Sequence, residues 1–526
     1  MSNEISTKGI GKVIFSSSLG TMIEWYDFYI FGMLAKTISV QFFPEGNDTA
    51  ALLSTLAIFA AGFLVRPFGA LVFGRLGDLI GRKYTFLLTL VLMGASTFLI
   101  GLVPGYKSIG IAAPLLVLIL RLIQGLALGG EYGGAATYVA EHAPAHRRGY
   151  FTAWIQTTDT LGLFVALGII MLVKSNMSDA SFTAEWGGWR YPFWISILLV
   201  GISIYIRLKM KESPMYATLK EEGATSINPI KESFGHKANF KMVLLALFGA
   251  VMGQGVIWYT GQFYAQSFLE NTVKIEFMQN REILLWGIGL ATPFFLFFGW
   301  LSDKVGRKWI MLTGMLLGVI FYRPIFGTML KDADAKSWMI IFDKEHNNKK
   351  FGFADENHLL KSDTIRNKEG VDIYIRNVKS SYSYLGNKFT NTWSDTVTTE
   401  VNSFKALSLK TSKPSFSNII LSPPLKWKFI FFVWIMIIFV TMVYGPIAAF
   451  LVELFPTKIR YTSMSLPYHI GNGVFGGLVP FIATLLSTSF VKDPLVGLWY
   501  PIGVAALCFI IGALYLSNKI NKDVND

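Results

Sequence analysis

The sequence predicts an all-α membrane protein of twelve transmembrane helices in two pseudo-symmetric six-helix bundles, with an extracytoplasmic insert between helices 9 and 10. Three observations predict this fold. The 526 residues are 52% hydrophobic and only 15% charged, whereas soluble globular chains carry about 25% charged residues. About twelve apolar runs are long enough to cross a hydrocarbon core of ~30 Å. A polar turn between two early runs recurs, in near copy, between two later ones.

The apolar runs must be helices, because every backbone polar group in a bilayer has to be satisfied within its own segment. They lie near residues 13–40, 51–74, 84–103, 111–140, 149–173, 189–208, 241–268, 282–302, 308–330, 427–450, 461–488 and 497–517. Lysine and arginine cluster in the short loops on one side of these runs. The positive-inside rule then places both termini in the cytoplasm of a multi-pass inner-membrane protein.

The repeated turn has the form Gly-x-x-x-Asp-x-x-Gly-Arg-Lys. Its first copy occupies 74–83 and its second copy 299–308, starting 225 positions later. A chain built twice from one plan, with the copies between spans, is typical of secondary transporters whose two halves move around a central site. The sequence therefore predicts two related halves.

A second repeat locates an insertion in the later half. Glu141 begins a Glu-x-x-Pro sequence that recurs at Glu453, 312 positions later rather than 225, so the later half has gained 87 residues. The polar stretch 331–425 lies there, and the predicted topology puts it outside the membrane. Two interpretations stay open, a loosely folded loop or a small β-rich appendage, because 371–376 alternates like a strand. The predicted domains are 1–208 and 241–330 with 426–526 as the two bundles, 209–240 as a cytoplasmic loop and 331–425 as the insert.

Ionisable residues inside membrane spans are costly and are therefore functional candidates. Glu24 and Asp27 are three residues apart and share a helix face. The candidates for proton coupling are Asp27, Glu24, Glu131 and Arg121. At 1.5 Å per helical residue, Asp27 lies at a depth between Arg121 and Glu131, so we expect it within reach of each. A carboxylate near an arginine stays ionised, and it takes up a proton when the arginine moves to another partner. The alternative is a set of static ion pairs that only fix helix packing.

Polar and aromatic side chains in several spans predict a pocket for a small organic molecule. The candidates for substrate binding are Arg66, Arg121, Gln124, Asp159, Gln254, Trp258, Tyr259, Gln262, Tyr444 and Asn472. An arginine would pair with a carboxylate, and Trp258 or Tyr259 would face a quaternary ammonium group. The alternatives are ordinary core packing for the aromatic residues and, for Arg66 before Pro67, support of a helix kink.

The two turns predict a gate on the cytoplasmic side. The gating candidates are Gly74, Asp78, Gly81, Arg82, Glu141, Gly299, Asp303, Gly306, Arg307 and Glu453. Glycine permits close packing and a tight reversal, and the aspartate can accept hydrogen bonds from N–H groups at a helix start. Arg82 can pair with Glu141. The alternative is that these charges only anchor the topology.

The sequence shows no motif that is typical of other functional classes. We find no phosphate-binding loop and no metal-spaced Cys/His cluster, so we expect no cofactor, no metal and no enzymatic activity. Cys508 is the single cysteine, which excludes an intramolecular disulfide. The net charge of +13 reflects basic residues beside apolar runs rather than nucleic-acid binding. The expected partners are a small-molecule substrate, protons and the lipid bilayer, and we expect a monomer.

Several motifs resemble the major facilitator superfamily, and more narrowly its metabolite:proton symporter family. They are the duplicated turn, Arg121-Leu122-Ile123-Gln124-Gly125, Glu24-Trp25-Tyr26-Asp27-Phe28, Arg66-Pro67-Phe68-Gly69, Gly129-Gly130-Glu131-Tyr132-Gly133-Gly134, Gly188-Trp189-Arg190-Tyr191-Pro192-Phe193 and Glu212-Ser213-Pro214. The resemblance is dense over 20–215 and absent across 331–425.

The resemblance implies proton-driven uptake of a small metabolite, since family substrates include 2-oxoglutarate, citrate, shikimate, proline and betaine. It supports Asp27, Glu131 and Arg121 as coupling and substrate residues, whereas Asp159 matches no family position. The alternatives are an exporter or antiporter of the same fold, and a transport-incompetent sensor that uses the insert.

Overall fold

The structure is a computed structural model that describes residues 10–80, 82–130, 136, 139–140, 143–209, 235, 237–345, 359–366, 371–400, 406–455, 460–490 and 492–517. The part before the predicted loop 209–240 is called the first half, and the part after it the second half. The described chain is mostly helical, as predicted.

The helices of the first half are α1 (Ile10–Met33), α2 (Ala35–Phe42), α3 (Asp48–Leu64), α4 (Arg66–Ile80), α5 (Arg82–Ile100), α6 (Tyr106–Ile109), α7 (Ala112–Gly129), α8 (Arg148–Ser175), α9 (Asp179–Thr183) and α10 (Tyr191–Lys209). Those of the second half are α11 (Lys237–Ala246), α12 (Met252–Tyr259), α13 (Ala265–Asn271), α14 (Phe277–Ala291), α15 (Pro293–Val305), α16 (Arg307–Asp332), α17 (Ala335–Glu345), α18 (Pro423–Tyr444), α19 (Ile447–Leu454), α20 (Arg460–Tyr468), α21 (Val479–Ser489) and α22 (Trp499–Tyr515).

Among the described residues, nine helical stretches are long and apolar enough to cross a membrane by length and composition. They are Asp48–Phe73, Ala112–Gly129, Ala145–Ser175, Lys237–Asn271, Phe277–Val305, Arg307–Asp332, Pro423–Leu454, Thr462–Ser489 and Val496–Tyr515. The number twelve stays a prediction. Three of the predicted runs, near 13–40, 84–103 and 189–208, are helical as α1, α5 and α10 but are not among these nine stretches.

Two predicted spans of the second half contain π-helical turns. The seventh has them at Leu247–Val251 and Thr260–Tyr264, and the eleventh at His469–Gly476. Glycines bring these spans together, because a Cβ on Gly255 would lie 2.6 Å from the Gly471 carbonyl oxygen. Such turns release backbone groups and widen a helix, and they are frequent at functional sites.

The chain divides into two compact units. The larger comprises 1–265, 285–324 and 433–526, and contains most of the helices of both halves. Within this unit, α8 of the first half packs against α15 and α19 of the second half.

The smaller unit comprises Gln266–Leu284 and Ile325–Phe432. Its strands form an antiparallel sheet in the order β1 (Leu359–Arg366), β2 (Val371–Tyr384), β3 (Asn387–Glu400), β4 (Ala406–Thr411), with β5 (Ser415–Ile420) also on β3. Of the two interpretations of the insert, the structure favours the β-rich one. Helix α17 also falls in the predicted insert, and the sequence pattern did not indicate it.

Within this smaller unit, the end of the sheet is fixed to the first turn of α14 and to the residues just before it. The Gln279 amide donates to the Leu421 carbonyl oxygen (2.9 Å) and accepts from the Leu421 N–H (2.6 Å). Ile275 forms a bridge with Ile419. A buried Arg281–Glu270 ion pair (2.7 Å) lies beside this junction.

Candidate functional site

Aromatic rings from both halves meet in the larger unit. Trp25 on α1 lies 5.7 Å from Trp258 on α12, measured between ring centroids. Tyr29 lies 5.3 Å from Phe263. All four side chains are buried. Their contact closes the space between the halves with apolar surface.

Sequence reasoning identified Trp258 and Tyr259 here but missed their partners in the first half. The missed residues are Trp25, Phe28, Tyr29, Phe59, Phe63 and the second-half Phe263. A signal was present, because Trp25 and Phe28 are spaced i, i+3 and Phe59 and Phe63 are spaced i, i+4, so each pair shares a helix face.

Arg66, the first residue of α4, is only 2% exposed. Its guanidinium carbon lies 4.3 Å from the Phe63 ring centroid and 4.6 Å from that of Phe28. Its Nε and Nη2 atoms donate no hydrogen bond to any described residue. Aromatic faces attract a desolvated cation by about 2 kcal/mol, but they do not satisfy its N–H groups. Arg66 therefore keeps free donors in a dry environment.

Arg121 on α7 is fully buried in a similar aromatic environment. Its guanidinium carbon lies 4.6 Å from the Phe28 ring centroid and 4.9 Å from that of Phe59. Nη1 donates to the Gln124 side chain (2.7 Å), which in turn donates to Thr97 (2.6 Å). Gln124 thus orients Arg121, while Nε has no acceptor among the described residues.

Asp27 is buried on α1. Contrary to the expectation from the sequence, the structure does not place its carboxyl group beside Arg121. Its carboxyl group faces the hydroxyl of Ser196 on α10. No arginine or lysine of the described chain bonds to it. The physical reason is the helix phase, since Trp25, Phe28 and Tyr29 take the face of α1 that meets the second half. Asp27 is left on the face that contacts α10.

A chain of polar side chains joins the two halves. Tyr444 on α18 donates a hydrogen bond to Asp159 on α8. The hydroxyl groups of Tyr444 and Tyr468 are 2.8 Å apart, and Asn472 Nδ2 donates to Tyr468 (3.1 Å). Gln254 Nε2 donates to Asn472 Oδ1 (3.4 Å). The structure therefore brings together four predicted substrate-site residues through Tyr468.

Gln262 lies in the second π turn of the seventh predicted span and is 1% exposed. Neither its amide oxygen nor its amide nitrogen has a hydrogen-bond partner within the described part of the chain. Burying an amide group that has no hydrogen-bond partner costs about 1–3 kcal/mol of folding free energy. This amide is a free donor and acceptor in the interior.

The second copy of the repeated turn contacts the start of α8. Asp303 Oδ1 accepts from the Gly149 N–H (2.7 Å) and Oδ2 from the Tyr150 N–H (2.8 Å). These N–H groups belong to the first turn of α8, where backbone donors lack helical partners. The aspartate of the second half therefore caps a helix of the first half.

Arg307 completes this contact, which we call the Asp303 latch. It donates to both Glu453 oxygens, at 2.9 and 2.7 Å, and pairs with Asp303 at 2.9 Å. A Cβ on Gly299 would lie 2.5 Å from the Ala153 Cβ, so α15 and α8 touch closely. Gly306 has φ +94°, which favours glycine and makes the reversal before α16.

Several predicted residues lie outside the described part of the chain. Glu131, Glu141 and Gly81 are among the residues that the structure does not describe. For Glu24, Gly74, Asp78 and Arg82, the structure describes the helical backbone but not the surroundings of the side chain. The first copy of the latch stays a prediction.

Comparison with known proteins identifies the family that this chain resembles. Residues 13–342 match the family model for sugar (and other) transporters. The chain is 30% identical, over 489 residues, to the inner membrane metabolite transport protein YhjE of Escherichia coli (strain K12), covering 91% of this chain and 88% of that protein. It is 36% identical, over 318 residues, to the alpha-ketoglutarate permease of the same organism, covering 60% of this chain and 71% of the permease.

The fold is also similar to a solved structure. The partially occluded inward-open conformation of the xylose transporter XylE from E. coli matches with a TM-score of 0.62 at 14% identity. The match covers 98% of this chain and 99% of that one. At this identity the likeness concerns the fold alone.

Proposed function

The chain belongs to the sugar (and other) transporter family of the major facilitator superfamily, and on this premise we propose that it imports a small carboxylate-bearing metabolite or zwitterion together with protons. It works by alternating access in the inner membrane, with both termini in the cytoplasm. Members of the family are transporters rather than enzymes, so binding and conformational change are the steps to explain.

The observation that supports a carboxylate-bearing substrate is the pair of buried arginines. Arg66 and Arg121 keep unsatisfied N–H donors, and no described carboxylate is hydrogen-bonded to either. A buried cation is stabilised when an anion supplies charge and acceptors together. A substrate carboxylate supplies both, through short charge-assisted hydrogen bonds. The arginines therefore form the carboxylate end of the site.

The second half shapes the rest of the pocket. Gln262 offers a free amide, and Trp258 and Tyr259 offer aromatic surface. A zwitterion such as a betaine would place its ammonium group on these rings. In the closed arrangement the rings fill this space, so we infer that they separate when the substrate enters.

Asp27 is the proposed proton carrier. A buried carboxylate without a positive partner is costly when ionised, and the cost falls when a proton neutralises it. Because Asp27 faces α10 rather than the arginines, the proton and the substrate occupy separate places in the first half. Coupling then acts through movement of α1, which carries Asp27 on one face and Phe28 on the other.

The Asp303 latch is the proposed cytoplasmic gate. It joins α8 to α15 through the bonds from the Gly149 and Tyr150 N–H groups to Asp303, and Arg307 on α16 holds that carboxylate. Opening toward the cytoplasm would have to break the two bonds to Asp303. The repeat predicts an equivalent contact for Asp78 and Arg82. We propose that both latches hold while the substrate and proton load from outside.

Uptake into proteoliposomes tests this function. The purified protein is supplied with a labelled panel of 2-oxoglutarate, citrate, shikimate, proline and betaine, with and without an inward proton gradient. Symport predicts accumulation of at least one compound only with the inward gradient. Accumulation driven by the opposite gradient would instead establish an antiporter or exporter, and no transport of any compound would favour the sensor interpretation.

A further inference from the structure

We propose that Asp159 and Tyr444 form a proton-sensitive tie between the two halves, which an ionised Asp159 holds and a protonated Asp159 loosens. This inference rests on the alternating access proposed above, and it makes Asp159 a second protonation site besides Asp27. It also gives Asp159 a different role from that of a simple substrate ligand.

The position of the tie supports this role. Asp159 lies in the middle of α8 and is fully buried, and Tyr444 ends α18 and is 1% exposed. Their hydrogen bond joins the first half to the second half. Any motion that separates α8 from α18 must break it.

The hydrogen-bond directions point toward Asp159. Gln254 donates to Asn472, and Asn472 donates to the Tyr468 oxygen. The Tyr468 hydrogen is then directed to the Tyr444 oxygen, which leaves the Tyr444 hydrogen for Asp159. Each group passes one donor toward the carboxylate, so the bonds polarise each other. The relay, meaning these four donors, is complementary to a carboxylate.

Protonation removes this complementarity. A neutral acid accepts a weaker bond from Tyr444, because charge-assisted hydrogen bonds are roughly twice as strong as neutral ones. The new O–H group also needs an acceptor, and the relay presents a donor at this point. Asp159 Oδ1 has no hydrogen-bond partner within the described residues. One proton therefore converts a matched contact into a mismatched one.

Among the described residues, four titratable groups from four elements interact with Asp159. Tyr444 on α18 bonds to it, and Tyr29 on α1, Arg66 on α4 and Tyr259 on α12 are near enough to interact electrostatically. Arg66 is the one among these four that carries a charge near neutral pH. If a substrate carboxylate takes Arg66, Asp159 loses its counter-charge and binds a proton more readily. Substrate binding would thus loosen the tie.

A distance measurement without substrate tests the tie. Spin labels on Ser175→Cys and Ser489→Cys lie at exposed helix ends of the two halves, and the native Cys508 is buried. We expect a longer-distance population in the wild-type background that rises as the pH falls from about 8 to about 5. Loss of one charge-assisted hydrogen bond predicts a rise of about tenfold in the ratio of long to short distances.

Three variants locate the response. Asp159→Asn should make the distance distribution independent of pH, and Tyr444→Phe should raise the longer population at high pH. Tyr468→Phe breaks the relay one step further and should have a smaller effect. The matched control is Tyr322→Phe, whose hydroxyl donates to the Ile257 carbonyl oxygen within the second half. It should respond to pH like the wild type.

Three results would overturn the tie: no pH response in the wild-type background, an unchanged response in both Asp159→Asn and Tyr444→Phe, or loss of the response in Asp27→Asn alone. Because no substrate is present, the result is independent of uptake. Symport could fail with the tie intact, or the tie could fail with symport supported by Asp27.

Discussion

Arg66 and Arg121 share the ring of Phe28, since each guanidinium carbon lies 4.6 Å from its centroid. The two cations come from α4 and α7, and both are buried. Like charges at such a place repel each other, so the arrangement favours an anion between them. This relationship is the basis of the proposed carboxylate selectivity.

Arg121→Lys should raise KM for the transported carboxylate by about ten- to a hundredfold, the effect of losing a hydrogen bond to a charged group. Lysine keeps the charge but loses the planar fork and the stacking on Phe28. Initial uptake rates at several substrate concentrations measure this change. Arg323→Lys is the control, because Arg323 pairs with Asp493 away from the central rings. An unchanged KM in Arg121→Lys would remove Arg121 from the substrate site.

Gly299→Ala should destabilise the closed form of the latch. The added Cβ would lie 2.5 Å from Ala153 Cβ and 2.7 Å from the Gly149 carbonyl oxygen, so α15 and α8 must move apart. A cysteine-reactive probe on Ser302→Cys should then react faster from the cytoplasmic side. Gly168→Ala on α8 is the matched control, since its Cβ meets no atom within 4 Å. Equal reactivity in both variants would show that this contact does not limit the gate.

Asp303→Asn should open the start of α8 to solvent exchange. Asparagine keeps one acceptor oxygen, but it loses the negative charge that strengthens the hydrogen bonds from the Gly149 and Tyr150 N–H groups. We expect exchange of these amide hydrogens to accelerate about tenfold or more. Hydrogen-exchange mass spectrometry of the peptide that covers 148–155 measures it. Asp493→Asn, at a contact with Arg323, should leave that peptide unchanged.

Glu185 should make the loops of the first half around Gly105 and Glu185 sensitive to acid. The Ser108 hydroxyl and the Gly105 N–H hold the pKa of Glu185 below its usual value. A group with a lowered folded-state pKa stabilises the fold above its unfolded pKa, and the contribution disappears as the pH falls through the folded value. Glu185→Gln should therefore lower the melting temperature near pH 7 but not near pH 3. Equal melting temperatures of the two proteins at both pH values would contradict this contact.

The sequence was sufficient for the helical membrane fold and for much of the latch. The repeated turn and the Glu-x-x-Pro repeat identified Asp303, Arg307 and Glu453, because a polar motif that recurs between apolar runs indicates two copies of the same contact. The structure places these three together. The alternation at 371–376 likewise indicated β2, although the antiparallel order around β3 depends on long-range pairing that local pattern does not encode.

The central site was harder to predict. The burial of two opposite charges predicts an interaction between Asp27 and Arg121, but the phase of α1 points Asp27 at Ser196 instead. The pattern also names Asp159 and Tyr444 without indicating that they form a pair. Their contact joins residues 285 positions apart, and such a contact depends on how the two halves meet. Periodicity within one helix carries no information about contacts between residues so far apart in the chain.

Proton-driven accumulation in proteoliposomes that contain the wild type or Asp27→Asn tests the central claim most directly. The compound is the best-transported member of the labelled panel, and Glu45→Gln at an exposed ion pair with Lys107 is the control. We predict that the wild type and Glu45→Gln accumulate the compound against its gradient when the interior is alkaline. Asp27→Asn should only equilibrate it, with exchange of internal for external compound retained. Full accumulation by Asp27→Asn, or wild-type accumulation that ignores the proton gradient, would contradict proton-coupled symport through Asp27.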